Sequence, residues 1–211
     1  MLNLVTITII ISCVIFSLMA FKDRAIFEKY MFSAYAIRHY RQRYRFLSHA
    51  FIHADYAHLI LNMFVLYMIG SNVEKGYHLL FGKMATLYYI LLYTGSIYGA
   101  SIFEYFKHRD NPAYSSVGAS GAVNAVLFSF ILLFPNNDIH ILFIPFGIPG
   151  WIFGILFLAY SFYMNKRNTD NIGHGAHAWG AIFGFVFTAV IGYKEGLISG
   201  FIDNIFHLNG N

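Results

Sequence analysis

Two residues with complementary chemistry, Ser120 and His177, each stand near the start of a strongly apolar stretch of the sequence. A serine hydroxyl is a weak nucleophile until a neighbouring base takes its proton, and histidine is the usual base near neutral pH. The sequence therefore predicts a serine–histidine pair for acyl transfer, provided that the fold brings the two stretches together.

Glycines near both residues indicate how the two stretches would meet. Gly118 and Gly121 flank the serine in the sequence GASG, and Gly180 and Gly184 follow the histidine with the spacing of a small-xxx-small motif. Such residues allow two helix backbones to approach closely in a membrane. We therefore expect the helix that begins near Ser120 to pack directly on the helix that carries His177.

A second pair of polar residues fits the other requirement of acyl transfer, which is a set of hydrogen-bond donors for the developing oxyanion. His58 and Asn62 are four residues apart, so on a helix they share one face. The backbone N–H of Ser120, at a helix start, is a further candidate donor. Each residue also has a less specific explanation: Ser120 as a packing residue, and His177 or Asn62 as an interhelical hydrogen-bonding group.

The composition indicates the environment of these residues. Of the 211 residues, 58% are hydrophobic and 11% are charged, whereas about 25% of the residues of an average soluble domain are charged. The chain is therefore predicted to be an integral, multi-pass membrane protein in contact with the lipid bilayer. Half of its cations lie between Lys22 and Arg45, where lipid headgroups explain them, and nothing in the sequence indicates nucleic-acid binding.

Six apolar segments approach the length of about 20 residues that a membrane span requires. They comprise residues 2–21, 55–72, 84–105, 117–134, 148–164 and 176–193. We predict an all-α bundle of six transmembrane helices, formed as a single domain over residues 1–211, with residues 2–21 retained as the first span. Alternate helices run in the same direction, so the starts of the second, fourth and sixth helices, which carry the polar residues, meet at one membrane face.

Several motifs resemble those of the rhomboid family of intramembrane serine proteases. The resemblance covers about 150 residues, from Tyr44 to Tyr193. LSHAFIHADYAHLILNMF resembles the His-rich second helix of the family, with His53, His58 and Asn62 in register. GASG resembles the nucleophile motif, and AHAWGAIFG resembles the catalytic histidine with its glycine face. NVEKGYHLLFG and ILFIPFGIPGW resemble connections of the family.

The resemblance implies a fold, an activity and roles for these residues. It implies a six-helix rhomboid bundle in which Ser120 is the nucleophile, His177 is the base and no catalytic aspartate takes part. It assigns the oxyanion donors to His58, Asn62 and the Ser120 backbone. The implied substrates are single-span membrane proteins cut near the membrane surface, without a metal or other cofactor, in the plasma (inner) membrane of a bacterium.

The resemblance also implies a membrane orientation. The family places the site outside the cytoplasm, against the positive-inside rule as applied to the basic first loop. We follow the family, because arginines of a folded loop can be paired or can snorkel.

Two positions depart from the family pattern. Tyr44-Arg45 replaces the usual Trp-Arg of the first loop and still offers an aromatic anchor and a cation. Asn124 replaces the tyrosine that stacks on the catalytic histidine in many members of the family. The side-chain oxygen of Asn124 could instead accept the His177 ring N–H and orient the base; the alternative is an asparagine bonded to a backbone carbonyl or to a buried water.

Two other functions compete with the protease hypothesis. A metal site would draw on histidines with helical spacing, but the region offers few carboxylates and a metal leaves the GASG motif unexplained. The candidate ligands of such a site are His49, His53, His58, His174 and His177, and the only carboxylates of the region are Asp55 and Asp170. The second competitor is an inactive rhomboid-like binder of membrane helices, although that class usually lacks the serine or the histidine.

Overall fold

A computed structural model describes residues 3–140, 145–167 and 173–206 of the chain. The described residues form eleven α-helices and one pair of two-residue antiparallel strands, so the chain is mostly helical as predicted. The helices are α1 Leu4–Lys22, α2 Arg24–Tyr30, α3 Ala34–His39, α4 Arg45–Ser48, α5 Tyr56–Val65, α6 Ser71–Phe81, α7 Ala85–His108, α8 Ser120–Leu133, α9 Gly150–Arg167, α10 His174–Ile191 and α11 Leu197–Phe206. The strands are β1 Asp138–Ile139 and β2 Ile148–Pro149.

Each of the six predicted apolar segments corresponds to a helix, but the second helix is longer than expected. A π-helical turn, Leu66–Gly70, joins α5 to α6 without a break, and a 3-10 turn, Gly82–Met84, leads into α7. Residues 73–83, which the sequence pattern leaves as a polar connection between the second and third apolar segments, are therefore helical over most of their length. The polar residues of this stretch interrupt the hydrophobic pattern but not the helix, because buried Glu74 has hydrogen-bond partners on α1.

Three helical stretches in the described part of the chain are long and apolar enough to cross a membrane by length and mean hydropathy: Leu4–Lys22, Tyr56–His108 and His174–Ile191. The stretch Tyr56–His108 contains two of the predicted segments. Helix α8 is apolar but shorter than a span. Parts of two sequence-based assignments, the start of the first segment and the motif Ile141–Trp151, lie outside the described residues.

Helix α8 forms the centre of the molecule, and α10 packs directly against it. Nearly every residue of α8 is buried, as expected for a helix that is apolar on all sides. A Cβ atom at Gly180 would collide with the backbone carbonyl of Gly121, and one at Gly184 would collide with that of Ala125. The glycine face thus lets the two helix backbones touch, which fixes the positions of the residues at their N-terminal ends.

Candidate active site

Ser120 and His177 meet at the N-terminal ends of these two helices. Ser120 is the first residue of α8, and His177 lies in the first turn of α10. The Nε2 atom of His177 is 2.8 Å from the Oγ atom of Ser120, a hydrogen-bonding distance. With the neutral ring accepting at Nε2, the serine hydroxyl donates to the atom that would take its proton.

The backbone before the nucleophile has a conformation that favours glycine. Gly118 has a φ of 113°, and its N–H donates to the carbonyl of His49 at 2.9 Å. A Cβ atom at this position would lie 2.6 Å from the His58 ring. Both the dihedral angle and the ring contact therefore require glycine at the first position of the GASG motif.

The loop between α1 and α5 supports this turn through Arg45, whose guanidinium is buried. It donates to the carbonyls of Glu28 at 2.8 Å and Met31 at 2.6 Å, and to the Gln42 side chain at 2.6 Å. Arg45 thus holds the loop together from inside, whereas the sequence predicted the cation of an interfacial anchor at this position. Tyr44 is exposed and fits the anchor description better.

His53 joins three parts of the structure. Its Nε2 atom accepts from the backbone N–H of Ala119 at 3.4 Å, so Nδ1 carries the proton and donates to the Ser17 hydroxyl on α1 at 3.0 Å. Burial, helped by the nearby His58 ring, lowers the pKa of His53 to about 3, although Asp55 acts in the opposite direction. The neutral ring therefore links α1 to the residue before the nucleophile.

His58 and Asn62, the predicted oxyanion donors, line the same cavity as the dyad. The cavity has a volume of about 660 Å³. Asp55 caps α5 by accepting from the backbone N–H of His58 at 2.8 Å. The amide Nδ2 of Asn62 donates to the carbonyl of His58 at 2.9 Å. An amide nitrogen carries two hydrogens, so Asn62 retains a second donor.

Asn124 also lines the cavity, but its hydrogen bond differs from the one that an orienting role requires. Its Nδ2 atom donates to the carbonyl of Ser120 at 2.9 Å, within the same helix. No hydrogen bond joins Asn124 to His177 within the described residues. The ring beside His177 belongs instead to His174, which lies edge-on with its centroid 6.1 Å away.

Two cavity residues, Glu104 and Tyr114, were not singled out from the sequence. Glu104 is a buried carboxylate on α7, and Tyr114 lies in the segment between α7 and α8. A carboxylate inside the apolar segment 84–105 is a signal that would have identified the first, because ionisable groups at membrane depth usually face a cavity. Tyr114 carries no comparable signal in the sequence.

The metal hypothesis requires at least three ligand side chains close together. No group of three histidine, cysteine, aspartate or glutamate residues with that geometry occurs within residues 3–140, 145–167 and 173–206. Asp170, one of the two carboxylates of this region, lies outside the described residues. His49 instead bonds to the carbonyl of Arg45 at 2.9 Å, and His53 has the partners described above.

Comparisons with known proteins match the sequence of this chain to one family. The sequence profile of the Rhomboid domain matches residues 40–194. The chain is 28% identical over 151 residues to RHOMBOID-like protein 12, mitochondrial, of Arabidopsis thaliana, covering 64% of this chain and 42% of the relative. It is 24% identical to Rhomboid-related protein 1 of Caenorhabditis elegans over 157 residues, covering 72% and 40% respectively.

A yeast relative is similar to the same degree. Rhomboid protein 1, mitochondrial, of Saccharomyces cerevisiae is 26% identical over 146 residues, covering 67% of this chain and 40% of the relative. The chain thus spans less than half the length of these three relatives, two of which are named as mitochondrial. These names give no support to the bacterial plasma membrane expected from the sequence. The profile match covers most of the chain, and the chain therefore belongs to the rhomboid family.

Proposed function

We propose that this protein is an intramembrane serine endopeptidase that cuts transmembrane-helix substrates near the membrane surface with a Ser120–His177 dyad. The observation that carries the proposal is the 2.8 Å contact between His177 Nε2 and Ser120 Oγ inside a cavity at the helix ends. Membership of the rhomboid family supports the same reaction.

In the proposed reaction, Ser120 Oγ attacks the carbonyl carbon of the scissile peptide bond while His177 Nε2 takes the hydroxyl proton. The resulting tetrahedral oxyanion collapses, the C–N bond breaks and His177 returns the proton to the leaving amine. A water molecule then attacks the acyl-enzyme ester, again giving a proton to His177. Release of the acid restores the serine hydroxyl.

Three groups are the proposed donors to the oxyanion: the His58 ring, the Asn62 side chain and the Ser120 backbone N–H. All three residues line the cavity. Such donors are typically worth ~3 kcal/mol each in transition-state stabilisation. Asn62 can donate to the oxyanion without any change in the helix, because the His58 carbonyl accepts only one of its two amide hydrogens.

The proposed membrane arrangement has six spans within one domain. The spans are α1, the continuous helix α5–α6, α7, α8, α9 and α10, which correspond to the six segments predicted from the sequence. With alternate spans running in the same direction, the N-terminal ends of α5, α8 and α10 lie at one face, where the dyad and the oxyanion donors are found. The bilayer surrounds the exposed apolar side chains of the outer helices.

The proposed substrates are single-span membrane proteins whose helix unwinds locally at the cut. A peptide bond in a regular membrane helix is shielded by its own hydrogen bonds, so unwinding must precede attack by Ser120. Glycine or proline in the outer part of the substrate helix should therefore raise the rate. The chemistry proposed here requires neither a metal nor another cofactor.

The decisive experiment uses the purified protein in detergent and in proteoliposomes with a model single-span substrate. Wild type should cleave the substrate, Ser120→Ala should not, and a metal chelator should leave the rate unchanged. Binding of the substrate without cleavage by wild type would favour the inactive-binder alternative. Loss of activity with the chelator, or activity in Ser120→Ala, would overturn the dyad.

A further inference from the structure

Glu104 is a buried carboxylate in the same cavity as Ser120 and His177, and the reaction proposed above does not use it. It stands on α7, which carries neither member of the dyad. Burying a carboxylate is costly unless hydrogen bonds or charges compensate for the lost hydration. Its contacts therefore indicate what the residue does.

On one side, Glu104 holds the segment that leads to the nucleophile. The Tyr114 hydroxyl donates to Oε2 of Glu104 at 2.7 Å, and His108 Nε2 lies 3.4 Å from the same oxygen. The His108 ring stacks on the Tyr114 ring with centroids 3.6 Å apart. Burial and the Glu104 charge together raise the pKa of Tyr114, so the phenol stays protonated and donates.

The segment held in this way continues directly to Ser120. Two backbone hydrogen bonds pair Ser116 with Phe32 of the first loop, with N···O distances of 2.9 Å and 3.2 Å. The N–H of Gly118 bonds to the carbonyl of His49, as described above. Tyr114 is thus the first anchor of a short, restrained backbone that ends at the nucleophile.

On its other side, Glu104 contacts the first turn of the helix that carries the base. A Cβ atom at Gly175 would collide with Oε1 of Glu104 and would lie 2.9 Å from Oδ1 of Asn165 on α9. Gly173, the N-cap of α10, makes no side-chain capping bond. A carboxylate beside this turn is favourable, because the N-terminal end of a helix carries partial positive charge.

We propose that Glu104 is a positioning residue that sets the distance between Ser120 and His177. It acts on the serine through the Tyr114 hydroxyl and on the histidine through its contact with Gly175. One side chain of α7 therefore fixes the positions of both residues of the dyad. This inference rests on the proposed proteolytic function. It assigns to the α7 carboxylate a part of the orienting task that a ring from α8 performs in many relatives.

The test compares turnover and stability in variants of the 211-residue chain. Glu104→Ala should lower kcat at least tenfold with KM changed less than twofold, and should slow labelling of Ser120 by a fluorophosphonate probe to the same extent. Glu104→Gln keeps an oxygen acceptor of the same size and should restore kcat to within about threefold of wild type. Gly175→Ala, which displaces the carboxylate from the other side, should reproduce the loss.

Two further variants test the route and control for stability. Tyr114→Phe should lower kcat, and the double variant Glu104→Ala/Tyr114→Phe should be no slower than Glu104→Ala, because the two side chains act as a unit. Glu74→Ala removes a buried carboxylate at the opposite end of the bundle and should lower the melting temperature while leaving kcat of the folded protein unchanged.

The outcomes separate this inference from the proposed function. If wild type cleaves and Ser120→Ala does not, the proteolytic function holds whatever Glu104 does. In that case, full activity in Glu104→Ala, a loss restricted to KM, or a loss of kcat that only follows the fall in melting temperature would overturn the positioning role.

Discussion

The two ends of the helical bundle use buried polar residues in different ways. At the end opposite the dyad, the buried carboxylate of Glu74 accepts from the backbone N–H groups of Val5 and Thr6 at 3.0 Å and 2.9 Å, and from the Thr6 hydroxyl at 2.7 Å. Since the single Thr6 hydroxyl hydrogen points to Glu74, the Tyr89 hydroxyl, 3.0 Å away, donates to the Thr6 oxygen. These bonds join α1, α6 and α7.

A ring of three hydroxyls closes the same part of the bundle. Tyr77 on α6, Ser129 on α8 and Thr188 on α10 lie in mutual hydrogen-bonding contact at 2.7–3.1 Å. All three are buried. Each hydroxyl both donates and accepts, so the ring satisfies its own polar groups without water.

At the dyad end, the polar side chains border a cavity instead of closing on one another. Ser120, His177, His58, Asn62 and Glu104 all line its wall. The difference teaches that polarity inside this bundle has two purposes. Far from the cavity, polar side chains hydrogen-bond helices to one another, whereas at the cavity they line an open space on a scaffold whose position is already fixed.

The largest expected effect is at the dyad. Ser120→Ala and His177→Ala should each reduce cleavage to background, because either change removes one half of a cooperating pair. The melting temperature should stay close to that of wild type, since the hydroxyl network at the other end is untouched. Product formation measured by mass spectrometry would check this, and a cut at the same peptide bond by Ser120→Ala would contradict it.

The next largest effect is at the oxyanion donors. His58→Ala and Asn62→Ala should lower kcat by about 10 to 1,000-fold with a smaller change in KM, because such donors act mainly on the transition state. Steady-state kinetics in detergent would measure the split. An increase in KM at unchanged kcat would reassign both side chains to substrate binding.

The opposite pattern is expected at the far end. Glu74→Ala leaves the Val5 and Thr6 donors unsatisfied, at a cost of ~1–3 kcal/mol for each group. The melting temperature should fall by about 5–10 °C, while kcat below the transition remains that of wild type. A tenfold loss of kcat at unchanged stability would show that the two ends are coupled. It would contradict the assignment of a purely stabilising role to Glu74.

Acid should destabilise the protein through two histidines of the first loop. Burial lowers the pKa of His49 to about 4 and that of His53 to about 3, from an ordinary value of 6.5. Below pH 6.5 the two histidines are therefore protonated in the unfolded chain but remain neutral in the folded chain. Their contribution to the free energy of unfolding is fully present above pH 6.5 and is lost as the pH falls towards 4.

Thermal unfolding between pH 7.5 and pH 5 would measure this dependence. We expect the melting temperature of wild type to fall by a few degrees across that range. The double variant His49→Gln/His53→Gln should show a smaller slope, because glutamine does not titrate there. An equal slope in the variant would assign the pH dependence to other groups.

The sequence predicted the family, which the profile match confirms, because its motifs lie within single helices where spacing determines the face. The pairing of Ser120 with His177 was also expected, since both stand at the starts of apolar segments that run in the same direction. The glycines between the helices carry enough information to predict a close approach. These features depend on local sequence and on the bilayer.

The missed features depend on contacts between distant parts of the chain. The helical path of α6 could not be read from its polar residues, because the partners of Glu74 lie on α1. The buried role of Arg45 arises from the carbonyls of Glu28 and Met31, which only the folded first loop presents to its guanidinium. The link between Glu104 and Tyr114 crosses from a helix to a loop, where no periodicity applies.

The smallest effect is expected at Asn124, where the chain departs from the family pattern. Its Nδ2 atom bonds to the carbonyl of Ser120 within α8, and even the side-chain hydrogen bonds that join separate membrane helices average only ~0.6 kcal/mol. Asn124→Ala should therefore change kcat by less than about threefold. Asn124→Tyr would place a ring on the cavity wall, one helical turn from Ser120.

Parallel kinetics of the two variants would distinguish a bystander from an orienting residue. A tenfold loss of kcat in Asn124→Ala at unchanged melting temperature, recovered in Asn124→Tyr, would show that this side chain orients His177 once substrate is bound. It would also extend the functional part of the cavity one turn deeper into α8. Near-normal turnover in Asn124→Ala would leave the orientation of the base to the α7 side of the site, where Glu104 contacts the first turn of α10.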